Sequence, residues 1–182
     1  MKKTIIALAL IAVTGTLFAQ KKTTTSATVA FDASTSIDNL PKAENKTVVA
    51  ALDTKTGSVA FEAAVKNFAF ANPTIQQHFN GEKWLDSDKF PTFTFKGNIV
   101  DASKVNFSKD GSYNTTVEGT LAVKGVEQKI KAPATIVVKG GVITATSNFS
   151  LKLADYGISG APIDGGKVAK EPKVTVSADF KS

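Results

Sequence analysis

Apolar and polar residues alternate with a period of two along most of the chain, which is typical of β-strands with one buried face. The alternation is clearest from Ile143 to Leu153, where mostly apolar side chains are separated by Thr, Asn and Lys. Seven other segments repeat it, around residues 29–33, 48–52, 59–65, 93–95, 117–123, 130–138 and 174–180. The pattern predicts an all-β fold with eight strands.

Turn dipeptides separate several of these segments. They are Thr56-Gly57, Asp110-Gly111, Lys124-Gly125 and Gly140-Gly141. Such pairs tolerate positive φ and favour tight hairpins, so the strands that they join are expected to be antiparallel. Eight such strands can close into an up-and-down barrel, which removes both sheet edges, or pack as a two-layer sandwich.

Two segments break the alternation. Asn72 is a favourable N-cap, Pro73 suits the first helical position and Gly81 suits the position after a helix end. These residues predict a short helix over residues 73–80, after the third strand. A glycine-rich stretch from Tyr156 to Lys170 reads as a long loop.

The predicted inward faces mix phenylalanine with small residues, namely Ala63, Gly119, Ala132, Ala134, Ala145, Ser147 and Ala178. Small residues leave volume that a bound molecule can fill, and an eight-stranded barrel is wide enough for one ligand. We therefore predict a ligand-binding interior. Its predicted walls are Phe61, Val65, Phe93, Phe95, Leu121, Phe149 and Leu151, with Phe68, Phe79 and Trp84 near an opening. The candidates for a polar end are His78, Asp155 and Tyr156.

The amino terminus has the three parts of a secretory signal peptide. Lys2 and Lys3 precede an apolar run from Ile5 to Val13, and a small residue follows at position 19. We expect a signal peptide over residues 1–19 and export to the periplasm. The run is short for a membrane span, which needs about 20 apolar residues, although an uncleaved anchor is the alternative interpretation.

The amino-acid composition limits the classes of partner and covalent site that we expect. The chain has no cysteine, so disulfides, thiolate metal sites and a cysteine-linked lipid anchor are not expected. The net charge is +6, but the lysines are scattered singly, unlike the clustered basic patches of nucleic-acid-binding proteins. We expect no nucleic-acid partner. The mildly basic chain leaves open transient contact with a membrane, and homodimerisation is also left open.

Catalytic signals are sparse. His78 is the single histidine, so a His-rich metal site is not expected, and neither a phosphate-binding glycine loop nor a dinucleotide fingerprint is present. We expect no metal and no cofactor. His78 remains a candidate general base, and a two-carboxylate hydrolase stays open. The dispersed carboxylates are Asp32, Asp53, Glu62, Asp86, Asp88 and Asp155.

Three blocks carry a resemblance to the YceI-like proteins. They are the stretch from Asn72 to Gly97 (NPTIQQHFNGEKWLDSDKFPTFTFKG), the stretch from Val117 to Val126 (VEGTLAVKGV) and the stretch from Phe149 to Ile158 (FSLKLADYGI). The blocks follow the order seen in that family. One departure is that Leu153-Ala154 precede Asp155 where many relatives carry an arginine.

The resemblance implies that residues 20–182 form one lipocalin-like antiparallel barrel that binds a long-chain isoprenoid, an isoprenoid quinone or another amphiphilic lipid. It implies a periplasmic carrier, storage or stress-related protein without catalysis. Two alternatives remain at this point. One is a small periplasmic hydrolase that uses a carboxylate or His78 at the barrel mouth. The other is a surface β-protein with a filled core.

Overall fold

The computed structural model describes residues 20–181, which contain nine β-strands and two α-helices. The strands are β1 Lys21–Asp32, β2 Lys42–Asp53, β3 Ser58–Ala64, β4 Ala69–Phe70, β5 Thr92–Val100, β6 Gly111–Val123, β7 Val126–Lys139, β8 Val142–Ser150 and β9 Lys173–Phe180. The helices are α1 Pro73–Asn80 and α2 Ala161–Asp164. The predicted signal peptide, residues 1–19, lies outside the described residues.

Eight of the described strands form a closed antiparallel ring. The order is β1-β9-β8-β7-β6-β5-β3-β2, and β1 also pairs with β2 to complete the circle. This confirms the predicted eight-stranded barrel and excludes the open-edged sandwich. The two-residue strand β4, which the alternation did not predict, adds to β2 through Ala43↔Phe70 and Glu44↔Ala69.

Most of the predicted turns are confirmed by backbone geometry. Lys124 and Gly125 have φ of 51° and 76°, and Gly140 and Gly141 have φ of 56° and 83°, as two-residue hairpins require. The Asp110-Gly111 turn was wrong, because Gly111 already begins β6. The β5–β6 connection instead takes ten residues, 101–110, with a 3₁₀ helix at Ala102–Lys104.

The two ends of the barrel are built differently. At one end, here called the hairpin end, the connections are residues 54–57, 101–110 and 140–141. At the other, the mouth, the long segments 33–41, 65–91 and 151–172 lie together with the 124–125 hairpin. Near the hairpin end, Leu52, Ile143 and Phe180 are closely packed, at 1% exposure or less. The barrel is therefore almost closed to solvent at this end.

Helix α1 forms as the sequence predicts. The Asn72 side chain accepts hydrogen bonds from the Thr74 and Ile75 amides at 2.9 and 3.4 Å, which satisfies two unpaired donors of the first turn. Phe79 is buried while Ile75 is half-buried, so this face of the helix packs against the protein. The helix fixes Phe79 over the barrel mouth.

The segment after β8 differs from the prediction. Strand β8 ends at Ser150, so Leu151 and Leu153 lie beyond it, and a 3₁₀ helix spans Leu153–Tyr156. Helix α2 interrupts the predicted loop. Local backbone hydrogen bonds explain the change, since the Ile158 amide donates to the Leu153 carbonyl instead of to a neighbouring strand. Within residues 20–181 no helix combines the length and apolarity needed to cross a bilayer.

Candidate binding cavity

A cavity of about 170 Å³ lies inside the barrel and is lined by residues from all eight ring strands. Its walls follow from strand alternation, because every second side chain of each strand points inward. The opposing Cα pairs Phe61↔Phe95 and Phe95↔Leu121 bring three of these side chains side by side across β3, β5 and β6. The cavity is therefore a product of the barrel register and not of any single loop.

Several inward phenylalanines are only partly buried. Phe61, Phe93, Phe95 and Phe149 line the cavity and keep intermediate exposure, in contrast to Phe180, which is 0% exposed. Side chains that point inward and still retain accessible surface are facing empty volume. The rings are thus available for contact with a molecule inside the barrel.

A glycine pair shapes one wall. Gly97 and Gly119 lie opposite each other on β5 and β6, and a Cβ built on either would come within 2.7 Å of the tip of the Phe95 ring. Without side chains, the two glycines let that ring lie against the sheet instead of across the lumen. They therefore preserve part of the cavity volume.

The cavity contains little polar chemistry. No ionisable side chain lines it, and its polar liners are Thr94, Thr146 and Ser147. The Ser147 hydroxyl donates to the Pro133 carbonyl at 2.7 Å, and the Thr146 hydroxyl donates to the Thr135 carbonyl at 3.5 Å. These hydroxyl protons are committed to the barrel wall. Such a surface can hold hydrocarbon by burial but offers no group for acid–base chemistry.

The structure brings most of the predicted site residues together. Nine of the thirteen line the cavity, namely Phe61, Phe68, Phe79, Trp84, Phe93, Phe95, Leu121, Phe149 and Leu151. Val65 and Tyr156 do not line it, being packed in the core at 0% and 2% exposure. His78 and Asp155 are exposed. Their roles in ligand binding stay predictions.

Tyr156 and Asp155 contact other parts of the protein and do not line the cavity. Burial, together with the neighbouring Asp155 charge, raises the pKa of Tyr156 to about 12. Its hydroxyl has no hydrogen-bond partner among the described residues. Asp155 lies 3.7 Å from the Lys152 ammonium, and its carbonyl accepts a hydrogen bond from Gln128 at 2.8 Å. Both residues help to attach the 3₁₀ helix to the barrel.

One wall residue at the mouth, Phe31 of β1, was not among the residues predicted from the sequence. Phe31 lines the cavity, and its ring centroid lies 6.2 Å from that of Phe79. Phe68 and Phe70 contact the same Phe79 ring at 5.9 and 4.8 Å. Val29 and Phe31 are two positions apart on β1 and therefore point to the same face, which is the sequence pattern that predicts a wall residue here. The result is an aromatic cluster around Phe79 at the mouth.

The dispersed carboxylates mostly serve turns and surface pairs. Burial opposes ionisation of Asp32, but hydrogen bonds from Ser34 and the nearby Lys42 outweigh it, so the pKa of Asp32 is lowered. Backbone hydrogen bonds from Thr56 and Lys55 lower the pKa of Asp53. Within residues 20–181 there is no cluster of three His, Cys, Asp or Glu side chains that could hold a metal ion.

Comparison with known proteins agrees with this architecture. A family model described as the YceI-like domain matches residues 12–180. No curated protein matches the chain. Among solved structures, BcnA from Burkholderia cenocepacia is 18% identical, with a TM-score of 0.71 over 86% of this chain and 96% of that one.

Two further structures share the fold. A polyisoprenoid binding domain from Saccharophagus degradans is 13% identical, with a TM-score of 0.74 over 90% of this chain and 98% of that one. The YCEI protein of Campylobacter jejuni is 16% identical, with a TM-score of 0.54 over the whole of both chains. At these identities the likeness confirms the predicted fold alone.

Proposed function

The chain belongs to the YceI-like family, and from this premise we propose that its barrel carries one long apolar chain, such as a polyisoprenoid, an isoprenoid quinone or a similar amphiphile. The observation that carries the proposal is the interior cavity, whose lining contains no ionisable side chain. The description of the Saccharophagus degradans relative as a polyisoprenoid binding domain supports the same class of ligand.

Affinity for such a chain needs no polar motif. Burial of one methylene group is worth about 0.8 kcal/mol, so about six buried carbons contribute about 5 kcal/mol before the entropic cost of association. For scale, an engineered apolar cavity of about 150 Å³ in another protein stays dry and binds benzene. The cavity here is of comparable volume, at about 170 Å³. Its walls are therefore sufficient for hydrophobic binding.

The hydrolase alternative has weaker support, because its candidate base His78 lines a second hollow at the mouth and not the interior cavity. A hydrolytic site needs a base or a carboxylate pair facing the substrate. Asp53 caps the turn after β2, and Asp88 pairs with Lys66 at 2.6 Å on the surface. The filled-core alternative predicts packed side chains along the whole barrel, whereas Phe61 and Phe149 retain exposed surface inside it. A carrier accounts for these features together.

We further propose that the protein works in the periplasm after export. The basic, apolar and small-residue regions of residues 1–19 support this. Cleavage after Ala19 would leave Gln20 as the first residue. Sequencing the amino terminus of the periplasmic protein is expected to begin at Gln20, and retention of Met1 in the exported fraction would contradict the proposal.

A transient membrane contact at the mouth forms part of the same proposal. Ile37 and Leu40, in the β1–β2 connection, are 68% and 51% exposed, and such apolar side chains can enter a lipid surface. Replacing both by serine is expected to reduce cosedimentation with anionic phospholipid vesicles. Val137→Ser is the control, because Val137 is an exposed valine near the hairpin end. Equal loss in both variants would contradict contact through the mouth.

Native mass spectrometry tests the carrier function directly. Protein purified without detergent is expected to carry an added mass that corresponds to a long-chain molecule, which organic extraction removes. Ala145→Phe adds a ring to the cavity wall and is expected to abolish the added mass. Val137→Phe places the same ring on the barrel exterior and is expected to retain it. If wild-type protein is ligand-free and binds no added prenyl or alkyl chain, the function is wrong.

A further inference from the structure

A second hollow, of about 140 Å³, adjoins the cavity at the mouth. It lies between the β1–β2 connection, helix α1 and the loop that follows helix α2. Phe31, Phe79 and Trp84 line both the hollow and the interior cavity. These shared aromatic side chains, with Phe31 and Phe79 in ring contact at 6.2 Å, border both spaces. A molecule that passes between the rings would occupy both.

The two spaces differ in chemistry. No ionisable side chain lines the interior cavity, whereas Asp38, His78 and Lys167 line the outer hollow. None of the ion pairs found within residues 20–181 involves Lys167. The Asp38 carboxylate already accepts a hydrogen bond from the Leu40 amide at 2.8 Å. The hollow thus offers hydrogen-bond donors from Lys167 and His78 beside one negative charge.

We propose that the outer hollow binds the polar head of a single-chain amphiphile whose apolar chain fills the barrel. The inference rests on the proposed carrier function and adds the class of head group. Lys167 and His78 require an oxygen that accepts hydrogen bonds. The neighbouring Asp38 repels a second negative charge, so the site favours a compact head with at most one, such as a carboxylate. The negative charge of Asp38 is the feature that disfavours a doubly charged phosphate.

Trp84 provides the measurement, because it is the single tryptophan of the chain and lines both hollows. Its emission is recorded while delipidated protein is titrated with hexadecane, hexadecanoic acid or hexadecyl phosphate, which share one chain length. Hexadecanoic acid is expected to bind about tenfold more tightly than hexadecane, the scale of one charge-assisted hydrogen bond. Hexadecyl phosphate is expected to bind less tightly than the acid.

Three variants assign the effect to residues. Lys167→Met keeps a linear side chain and is expected to remove most of the advantage of the acid while leaving hexadecane binding unchanged. Asp38→Asn retains an oxygen for the Leu40 amide and is expected to strengthen hexadecyl phosphate binding. Lys129→Met removes an exposed lysine of β7 and is the control for net charge.

The outcomes distinguish a failure of the head-group site from a failure of the carrier function. If hexadecane binds but the acid gains nothing, or if Lys129→Met acts like Lys167→Met, the head-group site is wrong while the carrier function survives. If Asp38→Asn leaves the order of the acid and the phosphate unchanged, the charge limit is wrong. If none of the three probes binds to wild-type protein, the carrier function fails and the head-group site fails with it.

Discussion

Replacing Phe61 by alanine tests whether the inward rings face a ligand space or a packed core. Truncation of a packed core phenylalanine typically costs about 3–5 kcal/mol, because transfer free energy is lost and a new cavity opens. Both Phe180 and Phe61 border the cavity, but Phe180 is 0% exposed and packs opposite Ile143, which is closer to that description. The Phe61 ring has intermediate exposure and so borders the existing cavity over more of its surface. Phe61→Ala removes fewer contacts, and we expect it to cost about 1–2 kcal/mol.

Phe61→Ala and Phe180→Ala remove the same side chain from two environments, so the two variants form a matched pair. Urea denaturation of delipidated protein is expected to show a loss of about 3–5 kcal/mol for Phe180→Ala and less than half of that for Phe61→Ala. For a domain of this size the larger loss lowers the melting temperature by about 6–20 °C. Lipid must be removed first, because bound ligand stabilises the folded state by mass action.

Ligand binding provides the second measurement. Phe61→Ala enlarges the cavity, so we expect weaker binding of a given chain and a shift in the preferred chain length. Phe180→Ala is expected to alter stability more than chain preference, since its ring is packed among core residues. If delipidated Phe61→Ala loses as much stability as Phe180→Ala and binds the same chains as wild type, then Phe61 belongs to the packed core and the assignment of the cavity wall is wrong.

Three further predictions concern other parts of the barrel. Gly97→Ala is expected to destabilise the pairing of β5 with β6, because the added Cβ would meet the Glu118 carbonyl oxygen and come within 2.8 Å of the Gly119 Cα, and Phe95→Leu is expected not to restore it; unchanged stability of delipidated Gly97→Ala in urea denaturation would contradict this. Folding raises the pKa of Tyr156 from 10.0 to about 12, so the contribution of its neutral hydroxyl to folding stability is complete below pH 10 and is lost between pH 10 and 12. Tyr156→Phe should therefore reduce the loss of folding stability over this pH range in alkaline unfolding curves. Asn72→Ala removes the N-cap of the helix that holds Phe79, at a cost of about 1 kcal/mol, and is expected to accelerate ligand release in stopped-flow experiments, whereas an unchanged rate would show that α1 does not limit exit.

The regular part of the fold was readable from sequence because its rules are local. Inward and outward positions follow from a period of two, and Gly140-Gly141 adopt the positive φ that their hairpin requires. The N-cap of α1 is equally local, since the Asn72 side chain bonds to amides two and three residues ahead. These features need no knowledge of the rest of the chain.

The mouth was less readable because its contacts are long-range. Lys167 and Asp38 are 129 positions apart and meet His78 only after the barrel closes. No periodicity marks any of the three. The end of β8 was also misjudged, because the alternation of Leu151 and Leu153 continues past the point where Ser150 makes its last pairing with β9. Leu151 still donates to the Pro172 carbonyl, but Pro172 has no amide to donate in return, and the chain then turns into the 3₁₀ helix, so the strand ends although the hydrophobic pattern continues.

Core side chains that do not line the cavity separate stability from binding. A cavity reduces stability because the side chains around it lose contacts. A carrier must nevertheless remain folded after it releases its ligand, so contacts elsewhere must hold the empty barrel. Val138, Ile143 and Ala178 provide them near the hairpin end, where they are 3% exposed or less and do not line the cavity. Ligand at one hundred times its dissociation constant would add about 2.7 kcal/mol to the folded state. Substitutions of these three core residues should therefore lower the stability of the empty and loaded forms equally, whereas substitutions at the cavity wall should change mainly the difference between them.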